Sequence, residues 1–580
     1  MKRKPRVLLT ANYGPNDLAW GEDMYDMVAS RLGRGQWPFL VTSHCHYFAL
    51  YLIAENITNP TTVLEDPHWD EFDHELDEGY DVVGFQLNSL HTTKIARMMK
   101  HVREKCPGTE IVVGGYGVSA LDAPVPGDAN ADAAYIRENA DYLCREEGVR
   151  FMRHLLGDEP VDREITQYNL PMAGCSSPGL KIQERRPMIL VSLGCPNACD
   201  FCNTSAFFHH KKIYVAEPEQ VYRYAKNYQK RLNSYGLTFM LFDEDFFSNP
   251  DFVRELGRLL RSDRRTWGIR YFTFGSVRSI SQFDPEELGD CGLEAVWVGV
   301  ESFLSGENLT DDQYAKRKGK NIKELFDSLN RNGIQTVGSL VLGFDFHTRE
   351  SLREDIDQFV ALKSGAYQIS SLTPCPGTAL YERLTTEGRI SSTYKWEDSH
   401  LWKDDGFKLK NLECGDLREF FDYAHEQLRD INGPQPLQFL ENALDCYQLL
   451  KDRTDEYHRF QATRARSRAA WVSVYLRSIK LHHQSEQVRR RAEMLRKRYE
   501  QEIGIASWKS WLTSLYLSSK IKSNGKQPRP PVVSDPPSRR TYYHTFDDRV
   551  WVRKSRGAKK PVPYEDPLPS AFPLLQFLRG

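Results

Sequence analysis

Three cysteines spaced C-x3-C-x2-C, Cys195, Cys199 and Cys202, follow directly on an apolar run at 188–193. A strand that delivers three thiols into one tight loop restricts this chain more than any other feature it has. Iron–sulfur clusters are ordinarily held by four cysteines and structural zinc by two separated pairs, so a lone triplet after a strand satisfies neither pattern. It can wrap a cubane and leave one iron open to a ligand that is not protein. Two other readings stay open on these residues alone: three buried thiols, or a zinc site that borrows a distant histidine.

The remainder of the 580 residues frames that loop. A 40% hydrophobic fraction supplies cores for about two to four domains, and a net charge of −2 leaves no footprint for bulk nucleic-acid binding. Eleven cysteines, three of them in one cluster, suit a reducing cytoplasm better than a disulfide scaffold. The basic start at 1–6 runs into a short strand rather than a signal peptide, and no apolar run reaches the ~18 residues that a membrane span needs. Peripheral membrane contact stays open. The basic residues Arg489, Arg490, Arg491, Arg496, Lys497 and Arg498 read either as a solvated helix face or as docking on anionic lipid or a partner.

Read in order, the chain is α/β at the front and helical at the back. Over 1–157, strands at 6–10, 61–64, 81–87, 110–117 and 141–144 alternate with helices at 46–57, 92–105 and 146–156. This alternation predicts a doubly wound parallel sheet with its ligand beyond the carboxyl ends of the strands. Residues 158–187, rich in Pro, Gly, Ser and charge, read as a linker. Over 188–390, six strand–helix units predict a partial (β/α)6 barrel whose chemistry gathers at strand ends, the cysteine loop being the first. A lid and helical domain at 391–519 and a Pro-rich linker with an aromatic tail at 520–580 complete the chain, the tail (Tyr542, Tyr543, Phe546, Trp551) expected to dock back.

The other strand ends of the barrel carry polar groups. Asp243, Glu244 and Asp245 follow the second, Arg278 the third, Glu301 the fourth and Gly343 the fifth, while the sixth runs into Thr373-Pro374-Cys375-Pro376-Gly377-Thr378. Each has a blander reading: a solvated acidic turn, a surface ion pair, a buried apolar thiol at Cys375. The run Lys316-Arg317-Lys318-Gly319-Lys320 reads as a solvated turn, and His44 and His46 read as local packing or capping.

As an ordered set, the cysteine loop with Phe201 before its last cysteine, Gly299-Val300-Glu301-Ser302, and the 373–378 turn resemble the class B radical S-adenosylmethionine (SAM) enzymes, in which a cobalamin-binding domain precedes the barrel. Cys375 stands where that family usually has Tyr. The resemblance implies a [4Fe-4S] cluster on Cys195, Cys199 and Cys202, and SAM bound by Phe201, Asp243, Glu244, Arg278, Glu301 and Gly343. Asp243 and Glu244 would take its ammonium, Arg278 its carboxylate and Gly343 its adenosine. Cobalamin would lie against Asn88, Ser89, Leu90, Gly114, Gly115 and Gly117. The D-x-H-x-x-G of methionine-synthase-type domains is absent, Thr10-Ala11-Asn12-Tyr13-Gly14 standing in its place, so a domain without cobalamin stays open.

The implied reaction is methylation of an unactivated carbon of a small-molecule or lipid-like substrate through a 5′-deoxyadenosyl radical and methylcobalamin. An external donor such as flavodoxin or ferredoxin would supply the electron. The alternative keeps the radical step for cyclisation, rearrangement or carbon–carbon coupling on a lipid, tetrapyrrole or natural product. A redox-sensing or electron-transfer iron–sulfur protein is a third reading, to which the other strand ends would be superfluous. No catalytic residue is identified by this reasoning.

Overall fold

The computed structural model describes residues 3–16, 18, 19, 22, 23, 36, 38, 39, 42–123, 131–177, 180–304, 321–392, 394–398, 406–526, 536, 538–543, 551–555, 562 and 563. The 316–320 run, Phe546 and part of the expected 391–415 lid lie outside them.

The first sheet grows from β1 (Val7–Thr10), buried along its whole length as a central parallel strand must be. It pairs in parallel with β2 (Thr61–Glu65) on one side and β3 (Val82–Gln86) on the other, Val7 lying opposite both Thr61 and Val82. Two further strands, β4 (Glu110–Gly114) and β5 (Tyr142–Leu143), extend it in parallel beyond β3. The spatial order 2-1-3-4-5 reverses between β1 and β3, and the carboxyl ends of those two strands form the crevice where ligands of doubly wound sheets sit. Helices α1 (Phe48–Asn56), α2 (Trp69–Leu76), α3 (Thr92–Lys105), α4 (Ala131–Asn139) and α5 (Gly148–Leu155) connect and cover it.

Residues 158–187 are not a plain linker. They contain β6 (Ala173–Ser177) and β7 (Leu180–Arg186), an antiparallel pair that also takes in Thr42–His44. Pro, Gly and Ser marked the segment as irregular in sequence, whereas the backbone pairing there depends on a strand about 130 residues earlier, which local composition cannot report.

The barrel sheet runs in chain order: β8 (Met188–Leu190), β9 (Leu237–Phe242), β10 (Ile269–Ser276), β11 (Leu293–Glu301), β12 (Gln335–Leu342) and β13 (Ala366–Ser371), all parallel. Helices α6 (Pro218–Arg231), α7 (Pro250–Ser262), α8 (Pro285–Asp290), α9 (Ile322–Arg331), α10 (Arg349–Ala361) and α11 (Ala379–Thr386) separate or follow the strands. The apolar run 188–193 divides at Val191. Its first half joins the barrel, and Ser192–Leu193 turns aside to pair with Ile213–Tyr214.

Helices α12 (Asp416–Gln427), α13 (Gln435–Leu450), α14 (Glu456–Ser473), α15 (Leu476–His482), α16 (Glu486–Glu502) and α17 (Trp508–Asn524) form the back of the molecule, α17 running past the expected start of the linker at 520. The chain then returns to the first sheet. Strand β14 (Arg539–Tyr543) lies antiparallel on the outer edge of β2, and β15 (Trp551–Ser555) and β16 (Val562–Pro563) follow it outward. This return is the docking expected of the aromatic tail. It also explains His46: the imidazole Nδ1 lies 2.8 Å from the Glu65 carboxylate, and Arg539 of β14 lies 2.6 Å from its Nε2, so the ring belongs to a buried charge network.

The back helices are keyed to the amino end of the barrel by Glu294, whose carboxylate takes hydrogen bonds from Arg464 and Arg468, with Arg270 3.7 Å away. Burial alone would raise the Glu294 pKa, but Arg464, Arg468 and Arg270 outweigh it and hold the carboxyl well below the usual carboxylate range. A depressed folded-state pKa contributes stability above the unfolded value, and the contribution fades as pH falls from there through the folded pKa. Glu294→Gln, which leaves guanidinium groups buried without their anion, is expected to lose about 3 kcal/mol at neutral pH. Its stability should also fall less than that of the wild type as pH drops below about 4.3. Urea unfolding at stepped pH reads both effects.

Candidate functional site

The cysteine loop is built on a glycine. Gly194 has φ +77°, and a Cβ there would fall 2.2 Å from the Lys211 carbonyl oxygen, so no other residue can start this turn without moving the backbone. Ala198, between the first two cysteines, is also left-handed at φ +51°. The loop is then stitched closed. Cys202 N–H donates to the Cys199 carbonyl (3.0 Å), and Ser205 Oγ donates to that of Cys195 (2.7 Å). Cys195 and Cys199 are only 6% and 4% exposed, Cys202 is half-buried, and none of the three is in a disulfide.

Among the described residues no three His, Cys, Asp or Glu side chains gather tightly enough to ligate one metal ion. The loop brings three soft sulfur donors into one turn, the donor type that iron–sulfur clusters take.

Each neighbouring strand end reaches this loop. After β9, Asp245 is buried and acts as a hub. Its carboxylate accepts from Asn197 Nδ2 of the cysteine loop (2.8 Å) and from Ser276 N–H (3.1 Å), Ser276 Oγ (3.0 Å) and Ser279 Oγ beyond β10. Asp243 is buried too, in an ion pair with Lys212 Nζ at 2.7 Å, and it accepts from Ser192 Oγ at 2.7 Å and from the Asp245 N–H at 3.0 Å. Burial raises its pKa, with Lys212 pulling the other way. After β12, Phe344 meets Phe201 edge to face at 6.0 Å and stacks on Phe346 at 5.1 Å. His347 Nδ1 accepts from Gly343 N–H (3.0 Å) and Phe344 N–H (3.2 Å), while its Nε2 faces Asp355 at 3.3 Å. Asp355 in turn accepts from Phe303 N–H after β11. After β13, Leu380 N–H donates to the Asp200 carbonyl at 2.9 Å.

Several sequence expectations change here. Asp243 is buried rather than open, and its oxygens already serve Lys212, Ser192 and the Asp245 backbone. Glu244 is the exposed member of the acidic run, and its charge adds to burial in keeping the Tyr116 phenol protonated. Arg278 stands exposed on the one-turn helix Val277–Ile280, apart from the hub made by Ser276 and Ser279. Beside Gly343 (φ +100°), the position of a Cβ is crowded by Leu417 at 3.1 Å and Leu409 at 3.5 Å, so the glycine serves the turn and the packing of α12.

Glu301 ends β11 at φ +64°, immediately after a register shift against β12. A left-handed non-glycine residue at a strand end stores about 1–3 kcal/mol and persists where its side chain is needed. Glu301→Gly is accordingly expected to raise stability by about 1 kcal/mol while lowering SAM cleavage at least about tenfold. Thermal unfolding beside a 5′-deoxyadenosine assay separates that outcome from a purely structural role, in which both would move together.

The carboxyl end of the first sheet lies over this loop. Tyr116, directly after the β4 glycines, packs edge-on against Phe207 (5.5 Å) and Phe208 (6.2 Å) of the segment that follows Cys202, and burial pushes its phenol pKa up. Ser119 Oγ lies 3.1 Å from Asn203 Oδ1, and a Cβ on Gly377 of the β13 turn would meet the Ser119 carbonyl at 2.9 Å. Thr93, at the start of α3, donates through its N–H and Oγ1 to Glu397 at 2.8 Å.

The glycines assigned to a cobalamin slot are used otherwise. The space beside Gly114 is filled by Cys144 (3.3 Å), and that beside Gly115 and Gly117 by Leu87 (2.7–2.9 Å), so they let β3 and β4 ends pack closely. Asn88 is exposed and caps the turn Ser89–His91 by accepting from Leu90 N–H, with Ser89 and Leu90 buried. What fits a polar ligand lies nearer the crevice. Thr10 Oγ1 at the end of β1, Gln86 Oε1 at the end of β3 and Asn16 Nδ2 are buried without a hydrogen-bond partner, and such groups are rare unless something completes them. His91, beside them in sequence, is kept neutral, its pKa pushed down to about 3 by burial and by Lys94. Asn12, where a D-x-H motif would place its histidine, is buried and bonded to Asn16 and Tyr47.

Sequence reasoning missed Lys212, Asp245, Ser276, Ser279, His347 and Asp355. Only Asp245 carried a signal, as the third acid of a run whose first two took the attention.

Residues 189–359 match the model of the Radical SAM superfamily. The bacteriochlorophyllide d C-12(1)-methyltransferase of Chlorobaculum tepidum is 25% identical over 247 residues, 42% of this chain and 52% of its own. The anaerobic magnesium-protoporphyrin IX monomethyl ester cyclase of Cereibacter sphaeroides is 25% identical over 331 residues, 53% of this chain and 50% of its own. The chain thus spans about half the length of these curated relatives. Among solved structures, the radical S-adenosylmethionine methyltransferase TsrM of Kitasatospora setae, with cobalamin and a [4Fe-4S] cluster bound, aligns with a TM-score of 0.47 and 15% identity over 80% of this chain and 99% of its own. The stretch that matches the Radical SAM superfamily carries the cysteine loop at the first strand end of a six-stranded parallel barrel sheet, and a doubly wound sheet precedes it in the chain.

Proposed function

We propose that this enzyme transfers a methyl group to an unactivated carbon of a small molecule, using a [4Fe-4S] cluster, SAM and a corrinoid. The observation that carries the reading is the seating of Tyr116 and Ser119, at the carboxyl end of the first sheet, on Phe207, Phe208 and Asn203 next to the cysteine loop. A group held at the β1–β3 crevice and one held by the cysteines would then face a common space. When bound, the cluster and SAM supply a radical that removes a substrate hydrogen, and the corrinoid supplies the methyl group.

The chain's own residues do the positioning. Cys195, Cys199 and Cys202 hold the cluster. Phe201, Phe344 and Phe346 present an apolar wall that keeps water from the reacting carbon. Glu244 and Glu301, at the ends of β9 and β11, are the carboxylates that would meet the SAM ammonium. Asp245, His347 and Asp355 fix the turns that bear these groups. Thr10, Asn16 and Gln86 offer hydrogen bonds to the corrinoid's periphery. An external low-potential protein such as a flavodoxin or ferredoxin delivers the electron, in a reducing cytoplasm.

Both named relatives act, by their names, on tetrapyrroles, which makes a tetrapyrrole the first substrate class to assay. The cyclase relative, matched over the longer stretch, favours a second reading in which the radical closes a ring without methylation. Anaerobically reconstituted protein given corrinoid, reductant, substrate and SAM labelled at the methyl group distinguishes the two. Methyl transfer yields 5′-deoxyadenosine together with S-adenosylhomocysteine and a labelled product. 5′-Deoxyadenosine with an unlabelled, oxidised product supports the cyclase reading, and no SAM cleavage by cluster-loaded protein overturns both.

A further inference from the structure

Helix α17 wears its apolar stripe on the wrong side for a helix that only packs. Trp508, Trp511, Leu512, Leu515 and Tyr516 recur at i, i+3, i+4, i+7 and i+8, the spacing that ordinarily faces a core. Here Ser514, Leu517, Ser518 and Ile521 make the buried face, with Ser518 Oγ 3.0 Å from His482 Nε2 of α15. The aromatic stripe points outward: Trp508, Trp511, Leu512 and Tyr516 are 40–63% exposed, and Ile505 just before them is 91% exposed. Of the large apolar side chains exposed among the described residues, these five make the main concentration along the chain.

The chemistry around the stripe identifies its counterpart. Between Ile505 and Lys526 the chain carries Lys509, Lys520, Lys522 and Lys526 and no Asp or Glu. Lys509 Nζ lies 6.0 Å from the Trp508 ring and Lys520 Nζ 5.7 Å from the Tyr516 ring, so cations border the aromatic face. Beside Trp511 a groove of about 450 Å³ adds Arg477, while its Lys480 and Arg496 are ion-paired to Glu493 and Glu500. Tryptophan and tyrosine with flanking lysines is the composition that settles at the boundary between headgroups and acyl chains, the rings entering and the ammonium groups meeting lipid phosphate.

We propose that α17 docks this protein on the surface of an anionic lipid bilayer, lying in the plane of the interface with Trp508, Trp511, Leu512 and Tyr516 inserted. No helix among the described residues is long and apolar enough to cross a membrane, so the contact is peripheral. It rests on the helix alone and not on the reaction proposed above.

Full-length protein is sedimented with vesicles of phosphatidylcholine alone or mixed with phosphatidylglycerol. Binding to the mixed vesicles should be at least about tenfold tighter, weaken on raising salt from about 0.05 to 0.5 M, and be accompanied by a blue shift of tryptophan emission. A variant with Trp508→Ser, Trp511→Ser and Leu512→Ser, with unchanged thermal midpoint, should bind the mixed vesicles about tenfold less well, and Lys509→Glu with Lys520→Glu should lose the preference for anionic lipid. The proposal is overturned if native protein ignores both vesicles, if the triple variant binds as well as native, or if the triple variant instead dissociates an oligomer that native protein forms without lipid.

Discussion

Anaerobically reconstituted protein with Cys195, Cys199 and Cys202 all changed to alanine is expected to be colourless, to carry no cluster iron, and to cleave SAM at least about a thousandfold more slowly than wild type. The fold should survive. The loop's shape comes from Gly194, from Ser205 closing on the Cys195 carbonyl and from Asn197 bonding Asp245, none of which needs a thiol. Far-ultraviolet circular dichroism and the unfolding midpoint should therefore stay near wild type while iron, sulfide and 5′-deoxyadenosine production vanish together. Retained cluster absorption in the triple variant would place the metal elsewhere, and retained turnover would remove the radical SAM reading of the site.

Asp245→Ala should produce the second largest loss, and through a different route. Its buried carboxylate accepts from Asn197, from the Ser276 backbone and hydroxyl, and from Ser279, so truncation leaves several donors unpaired at about 1–3 kcal/mol each. A net loss on the order of 4 kcal/mol follows once the side chains have relaxed. The cysteine loop is also untied from the end of β10. Groups that orient metal ligands from behind typically govern retention by about 10–100-fold, and cluster loss to a chelator should accelerate by that factor. Ser279→Ala, which removes one donor, should reproduce a small part of the stability loss and little of the cluster loss. Equal cluster lifetimes in wild type and Asp245→Ala would show the hub to be structural only.

The periodic parts of this fold were readable because they obey local rules. The helix at 250–262 opens with Asn249 capping Phe252 N–H and a proline in its first turn, two local signals that mark its start. Strand β12 ends in the apolar run 340–342 and is buried on both faces from Thr336 on, as a parallel sheet requires. The cysteine spacing likewise announced itself, since all three groups lie within one turn. Contacts that join distant segments left no such trace. Lys212 is an ordinary surface type until the fold places it 2.7 Å from Asp243. The glycines after β4 showed that something approaches the backbone closely, but not that the visitor is Leu87 of the same chain. Asp355 sits mid-helix in an amphipathic pattern, and only the loops brought to it by β11 and β12 show why it is buried.

The tail strand bears on how the molecule is made. Strand β2 ends at residue 65, yet the strand that covers its free edge begins at 539, so 473 residues must be synthesised between them. At ~5–20 residues per second, the nascent front layer waits roughly half a minute or longer with an open row of amide and carbonyl groups. An unfinished polypeptide on the ribosome therefore exposes a template for mispairing with its neighbours on the same message, a hazard that shielding by chaperones would relieve. Release of a product truncated between the last barrel strand and 539 should leave that edge bare and favour aggregation, even though its cysteine loop and barrel sheet had already been translated.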